Sequence, residues 1–311
     1  MPSNVTPCDL AIIGGGPAGL AATAYALHAQ LDVALIAPDL GGKVAYTFTL
    51  RDMPQRDTVW GASLVHELEQ RMLAGLKRHI AHSVTAIERH EGGGFALRLE
   101  DVAELIARAA IVATGARAQR LYVPGESEYF LRGVSFSAIS HGPFFQDRSV
   151  AVIGDGPRAV DAVLELIPLA RRVFFIVPRQ ESVERAPGAS RALGHPKVHV
   201  FHNWEVQQVA GDDFVTGLDL VGGNGEIRTL EVEGVFVQLG LLPANALVRN
   251  LVELDNEGHV IVDEHCRTSL PGLFAAGDVT NVHAEQVPIS IGEGAKAALS
   301  AWDYLAETAD L

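Results

Sequence analysis

Cysteine is nearly missing from this chain of 311 residues, which holds only Cys8 and Cys266. Two thiols so far apart form neither a disulfide framework nor a thiolate metal cluster, and a reducing cytoplasm is the compartment expected. Basic side chains are also short: 24 Lys and Arg stand against 38 Asp and Glu, a net charge of -14 with a pI near 5.2. Nucleic acid and anionic membrane surfaces are therefore not expected partners, because phosphate neutralisation needs a basic face. An uninterrupted apolar span is lacking too. Leu10 to Leu27 carries no charge, but Gly14–Gly19 breaks the run, so it reads as strand, turn and helix rather than a membrane span. No cationic segment precedes it, so a secretory signal is not expected and the Asn4-Val5-Thr6 sequon has no evident role.

What remains is the composition of a packed α/β protein: 48% hydrophobic, 20% charged, mean hydropathy +0.17. The length implies two domains. Asp9 to Ile13 reads as a buried strand, Leu20 to Gln30 as an Ala-rich helix and Leu31 to Ala37 as the next strand. That βαβ unit belongs to a doubly wound parallel sheet. A second unit follows about 140 residues later, with strands at Ser149–Ile153 and Arg172–Val177 around a helix at Val160–Ala170. Between them, Leu64, Leu68, Met72 and Leu76 form a helical stripe read as core packing. Gly272–Ala276 and a helix over Gly292–Leu305 carry no glycine fingerprint and must complete one of the earlier sheets. The economical arrangement is an insertion, with two Rossmann-like domains divided as 1–118, 119–244 and 245–311. Residues 119–244 carry 11 basic and 15 acidic side chains against 13 and 23 elsewhere, so the middle segment better suits an anionic dinucleotide.

Gly14-Gly15-Gly16-Pro17-Ala18-Gly19 is a G-x-G-x-x-G pattern between strand and helix. Gly14, Gly16 and Gly19 permit the tight turn and close backbone approach, and the helix N-terminus offers a pyrophosphate about half a positive charge. Asp39, 20 residues beyond Gly19, is placed either to accept from ribose hydroxyls or as a turn residue between Pro38 and Gly41-Gly42. Gly154-Asp155-Gly156-Pro157-Arg158-Ala159 is the G-x-G-x-x-A variant. After its second strand come Val177, Pro178, Arg179 and Gln180, with no acid before Glu181 and a further cation at Arg185. A cation there favours NADPH over NADH, unless Arg179 and Arg185 are solvated surface residues.

Over nearly its whole length the chain resembles the low-molecular-weight thioredoxin reductases and related FAD-dependent pyridine nucleotide reductases. The stretches that carry the likeness are IIGGGPAGLAA, the GG at Gly41, IVATGARAQRLYVPGE from Ile111, GVSFSAIS from Gly133, VAVIGDGPRAV from Val150 and LFAAGDVTNVHAEQVPISIGEGAKAALSA from Leu273. The resemblance implies an NADPH domain inserted into a discontinuous FAD domain, and a homodimer. It places Ala113-Thr114-Gly115 beside FAD, Gly277-Asp278 at its ribityl chain, and Gln286-Val287 beside the isoalloxazine at the start of the last helix. A helix N-terminus there would stabilise anionic reduced flavin.

The departures from the family pattern bear on function. Where a C-x-x-C pair and an acid would follow GVS, this chain has Ser137, Ser140 and His141. Serine hydroxyls form no disulfide and store no electrons, and Cys8 and Cys266 have no partner at that spacing. Cys266 is expected to be a core residue. Val177-Pro178-Arg179 replaces a His-Arg-Arg stretch, and Arg158 is either a substitute phosphate ligand or an obstruction. Glu285 stands where arginine is usual and opposes negative charge near the flavin. His141, with an ordinary pKa near neutrality, is either a proton donor beside the lost dithiol or a loop residue before Gly142-Pro143. The expectation is a flavoprotein oxidoreductase that carries electrons from NADPH through FAD to an acceptor, small molecule or small redox protein, other than a protein disulfide. A ferredoxin or flavodoxin-NADP reductase and a non-catalytic FAD-binding sensor or scaffold are the alternatives.

Overall fold

A computed structural model describes residues 7–45, 48–52, 62–73, 75–100, 102–179, 183–282, 284 and 286–308. Glu181, Glu285 and the Asn4 sequon lie outside the described residues.

The chain opens with β1 (Cys8–Ile13), α1 (Pro17–His28), β2 (Val33–Ile36), α2 (Ala62–Leu73), β3 (Arg78–Ile80), β4 (Val84–Arg89), β5 (Phe95–Leu99), β6 (Val102–Val112) and β7 (Ala116–Ala118). There follow β8 (Val134–Ser135), α3 (Ala138–His141), β9 (Ser149–Ile153), α4 (Pro157–Leu166), β10 (Arg172–Val177), α5 (Ala189–Leu193) and β11 (Val198–His202). The last elements are β12 (Trp204–Gly211), β13 (Val215–Gly222), β14 (Ile227–Glu231), β15 (Gly234–Val237), β16 (Leu241–Pro243), β17 (Leu273–Ala275) and α6 (Val287–Glu307).

Two compact units result, and the chain leaves the first and returns to it. The first comprises 1–45, 60–117 and 242–311, the second 46–59 and 118–241. Residues 48–52, the described part of the stretch 46–59, thus group with the second unit, although in chain order they fall inside the 1–118 segment. Both main crossings fall in the short β7–β16 ribbon.

In the first unit the sheet runs β3-β2-β1-β6-β5-β4, with β17 also paired to β6. β1 is parallel to β2 and β6, with Ile12 opposite Leu35 and Ile111. The residues Leu10 to Ile13 are buried, as an apolar strand covered on both faces must be. Small side chains dominate the helix layer on one face. α1 buries Ala18, Gly19, Ala21, Ala22 and Ala26, and α6 buries Gly294, Ala297, Ala298 and Ala301. The second unit has its own parallel sheet, β11-β10-β9-β15-β8, and an antiparallel sheet of β12, β13 and β14.

The α2 stripe packs as expected at Met72, buried, and Leu68 and Leu76, partly buried, joined by Val65. Three helices begin earlier than the apolar periodicity indicates: α1 at Pro17, α4 at Pro157 and α6 at Val287. Proline has no N–H to lose in a first turn and is preset at the helical φ, so it opens a helix that an apolar count starts late.

A Cβ on Gly294 would fall 2.0 Å from the Ala18 carbonyl oxygen, whereas one on Gly292 meets nothing within 4 Å. Gly294→Ala therefore forces α1 and α6 apart and costs about 1–3 kcal/mol. Gly292→Ala, on the exposed face of the same helix, gains about 0.5–1 kcal/mol. Urea unfolding of the two variants checks these opposite signs.

Candidate functional sites at the two glycine turns

In the first unit the Gly14–Gly19 turn follows β1 and leads into α1. Gly14, at φ +115°, lets its backbone sit where a Cβ would meet Ala113 O at 2.2 Å, and a Cβ on Gly19 would meet Gly14 O at 1.8 Å. Gly41 N donates to Gly15 O at 2.8 Å, and Gly42 lies against Gly16, where a Cβ would be 3.0 Å from its Cα. Gly277 packs on Ala18 in the same way. The turn, Gly41-Gly42, Ala113–Gly115 and Gly277-Asp278 are therefore gathered at one end of α1. Thr114 Oγ1 donates to Ala244 O at 2.8 Å, and Ala244 N donates to Gly115 O at 2.9 Å. Asp39 follows β2 and is exposed, and its carbonyl packs against Gly15.

Asp278 is buried, and its two carboxylate oxygens are both engaged. Ser290 Oγ donates to Oδ1 at 3.2 Å, and Lys43 Nζ donates to Oδ2 at 2.5 Å. Glu293 accepts from Gly277 N and Thr280 Oγ1 at 3.1 and 3.4 Å, which fixes the loop that carries Asp278. Lys43, Ser290 and Glu293 had no place among the residues expected from the sequence. Lys43 directly follows Gly41-Gly42, and Ser290 and Glu293 lie in the first two turns of α6, so their neighbours in sequence were the available signal. Gln286 is the N-cap of α6 and makes no side-chain cap bond.

The second turn follows β9. Gly154, at φ +157°, leaves no room for a Cβ beside Gln238 O, which would be 2.4 Å away. α4 begins at Pro157, and Ala159 in its first turn is fully buried. Arg179, at the end of β10, donates from Nε to Asp155 Oδ2 at 2.5 Å within the turn itself. Arg158 is half-buried and Arg185 exposed. Two buried side-chain atoms in this unit, His202 Nδ1 and Gln238 Nε2, have no hydrogen-bond partner among the described residues. Both lie at the carboxyl end of the parallel sheet, where β11 and β15 finish beside β10 and β9.

Ser137 is the N-cap of α3. Its Oγ accepts from Ser140 N at 3.3 Å and donates to Ser140 Oγ at 2.9 Å. His141 stacks on Phe48 with ring centroids 4.3 Å apart, and its Nδ1 is hydrogen-bonded to Ser135 Oγ at 2.7 Å. A near-neutral titration is not what these surroundings give: burial pushes the imidazole pKa down to about 4, so His141 is neutral at physiological pH and holds no proton in reserve as an imidazolium. Cys8 and Cys266 are both free and buried, and burial pushes their thiols up to about 12 and about 11.

The profile of the pyridine nucleotide-disulphide oxidoreductases matches residues 8–294. The chain belongs to that family. The F component of alkyl hydroperoxide reductase from Pseudomonas aeruginosa is 37% identical over 310 residues, with 96% of this chain and 58% of that protein covered. A protein named NADH dehydrogenase from Bacillus subtilis is 34% identical over 300 residues, with 96% and 59% covered. The chain thus spans under two thirds of the length of these relatives. Among solved structures, thioredoxin reductase from Streptococcus pyogenes superposes with a TM-score of 0.86 at 33% identity, covering 96% of this chain and 98% of that one. The thioredoxin reductase of Giardia duodenalis gives 0.83 at 27% identity, covering 97% and 100%.

Membership in a pyridine nucleotide-disulphide oxidoreductase family implies FAD and a nicotinamide dinucleotide, and the residues present fit both. Gly16 has φ -75° and ψ -178°, a conformation open to any residue, and nothing lies within 4 Å of the Cβ it lacks. Gly156 is the same, at φ -112°. Gly14, Gly19 and Gly154 are needed by the chain's own packing, but Gly16 and Gly156 are not. The open space beside each adjoins a helix N-terminus without a side-chain cap, as a pyrophosphate requires. The unpartnered His202 and Gln238 atoms offer polar groups to a ligand at the strand ends, where unmet partners would otherwise cost about 1–3 kcal/mol each. Among the described residues no cluster fit for a metal is present, and no helix is long and apolar enough to cross a membrane.

Gly16→Ala tests the first of these fits. It is expected to weaken FAD binding at least ten-fold, read from flavin fluorescence, while the apoprotein's unfolding midpoint moves by no more than about 3 °C. His141 makes a second prediction. Between pH 6.5 and about 4 the unfolded chain protonates this imidazole and the folded chain does not, so acidification through that window favours unfolding. The His141→Gln variant should lose that part of the pH dependence, on the order of 3 kcal/mol when urea midpoints are compared across the window.

Proposed function

We propose that the chain carries reducing equivalents from NADPH through FAD to an acceptor other than a protein disulfide. The observation that carries this reading is the state of the dithiol positions. Ser137 and Ser140 are hydrogen-bonded to one another as a helix cap, and the only two thiols are buried elsewhere with pKa values far above neutrality. Disulfide reduction needs a thiolate to attack and a second thiol to resolve the mixed disulfide. Neither group is available.

When bound, FAD supplies hydride acceptance from the nicotinamide and onward electron transfer. The chain's part is to hold and orient. In the first unit the N-terminus of α1 and the open face of Gly16 receive the pyrophosphate, Asp39 the ribose, and Gly41-Gly42 and Ala113-Thr114-Gly115 the body of the cofactor. Asp278 meets the ribityl chain with its remaining lone pairs, since Lys43 and Ser290 each take one. The uncapped start of α6 at Gln286-Val287 favours negative charge on the reduced ring system.

In the second unit Gly154, Gly156, Pro157 and Ala159 form the corresponding cradle. Asp155 holds Arg179 through Nε and leaves its two terminal nitrogens without a partner among the described residues. Those donors suit a 2′-phosphate, with Arg158 and Arg185 as further cations of the same unit. One relative is named for NADH, so Arg179 is the residue on which the donor preference is tested.

Anaerobic mixing with NADPH should bleach the flavin, and ferricyanide or a quinone should reoxidise it with turnover. Thioredoxin-coupled thiol release should stay at background, and robust release would overturn the proposal. Arg179→Gln is expected to narrow the NADPH over NADH ratio of kcat/KM by roughly ten-fold, the equivalent of about 1.4 kcal/mol. Equal use of both nucleotides by the parent protein would remove the NADPH assignment and leave the acceptor assignment standing.

A further inference from the structure

A cavity of about 610 Å³ lies in the second unit at the far end of β9 from the glycine turn. Ser149, the first residue of β9, lines it, whereas the turn begins after Ile153. At about 3.3 Å per residue the two ends of the strand are roughly 15 Å apart, so a pyrophosphate held at Gly156 does not reach this cavity. The walls are the starts of β9 and β10 together with β13, β14 and the residues after β14, all within the second unit.

Five arginines line this one cavity in a chain of net charge -14: Arg51, Arg148, Arg171, Arg172 and Arg228. Four of them come from the eleven basic residues of 119–244. Only two carboxylates, Glu231 and Glu233, share the lining. Arg148 Nη1 pairs with Glu233 at 2.9 Å, and Arg51 pairs with Asp212 at 2.6 Å. Arg171, Arg172 and Arg228 reach no carboxylate among the described residues. Arg171 donates to Ser149 Oγ at 3.3 Å. Arg172 lies over Phe174 at 5.8 Å and Arg228 over Phe201 at 5.2 Å, and the two rings pack edge to face at 6.2 Å. Contact with an aromatic face leaves a guanidinium's in-plane N–H donors free, and repulsion between such neighbours is relieved by an anion of matching multiplicity.

We propose that this cavity binds a small molecule bearing two or more phosphate groups. Guanidinium forks match phosphate oxygens in pairs, and the volume is that of a small-molecule site. With Arg148 and Arg51 paired, three arginines face Glu231 alone, and a single carboxylate would leave half of that excess charge unmet. The same phosphate chemistry is offered by free inorganic polyphosphate and by a nucleoside polyphosphate, whose base would find the Phe174 ring in the lining. The proposal does not depend on the identity of the electron acceptor.

The test is calorimetric titration of the FAD-loaded protein with inorganic tripolyphosphate. The expected result is one saturable site per chain, weakened at least ten-fold by Arg171→Gln together with Arg228→Gln and tightened by Glu231→Gln. NADPH-driven flavin reduction should keep its half-saturation in the double variant. Comparing pyrophosphate with ADP separates the two sources. Tighter ADP binding that falls to the pyrophosphate level in Phe174→Leu assigns a nucleoside polyphosphate, and equal affinities assign the inorganic form. The proposal is overturned by an absence of saturable binding. It also fails if affinity survives the double substitution, or if Arg179→Gln weakens it as much, which would place the anion at the glycine turn.

Discussion

The approach of α1 to its neighbours without intervening side chains is the constraint on which the first site depends. Three backbone contacts set it: Gly14 against Ala113 O, Gly19 against Gly14 O, and Gly294 against Ala18 O, each closer than any Cβ permits. They fix the start of α1 over the ends of β1 and β6 and bring Gly277 down onto Ala18. The N–H groups of its first turn are then aimed at open space beside Gly16. A helix left without a side-chain cap forgoes about 1 kcal/mol, or only a few tenths where glycine is the N-cap. α1, α4 and α6 all forgo it, and each opens with a proline in its first turn. Helix starts arranged this way serve an anion better than they serve stability.

The second turn repeats the first in backbone and departs from it in charge. Gly154 and Gly156 play the parts of Gly14 and Gly16, one demanded by packing and one left open. But an acid sits inside the turn at Asp155 and takes Arg179 as its partner. A carboxylate within a phosphate cradle opposes the ligand unless a cation offsets it. On the proposed reading the pair would offset that charge and preset the guanidinium just past the end of β10 at once. The arginine is highly exposed, so the ion pair contributes little to stability; its weight is in placement.

The glycine turns were legible in the sequence because they encode local backbone geometry, which glycine spacing reports directly. So were the strands that flank them, as short apolar runs. Features that depend on burial or on distant partners were not. Lys43 and Asp278 are 235 positions apart, and nothing in GGKVA announces their bond. The grouping of residues 48–52 with the second unit is a tertiary fact with no local signal. The arginines of the cavity look like ordinary surface charge until β9, β10 and β14 bring Arg148, Arg171, Arg172 and Arg228 to one lining. His141 is the plainest case. Its ordinary pKa follows from the residue type, and only its burial in the fold, against Phe48, shows that it is held neutral.

That neutrality completes the logic of the serine pair. Ser137 caps α3 through a bond from Ser140 N and donates to Ser140 Oγ, so the two hydroxyls satisfy one another and the helix start together. Thiols at these positions would accept such bonds poorly but would exchange electrons; the hydroxyls do the reverse. An ionised histidine beside a dithiol would stabilise a thiolate, and a buried neutral one stabilises nothing charged. Ser137 and Ser140 thus supply local order and His141 supplies no charge, so none of the three offers redox capacity. On this reading no side chain there stores reducing equivalents, and the acceptor takes its electrons from the flavin itself.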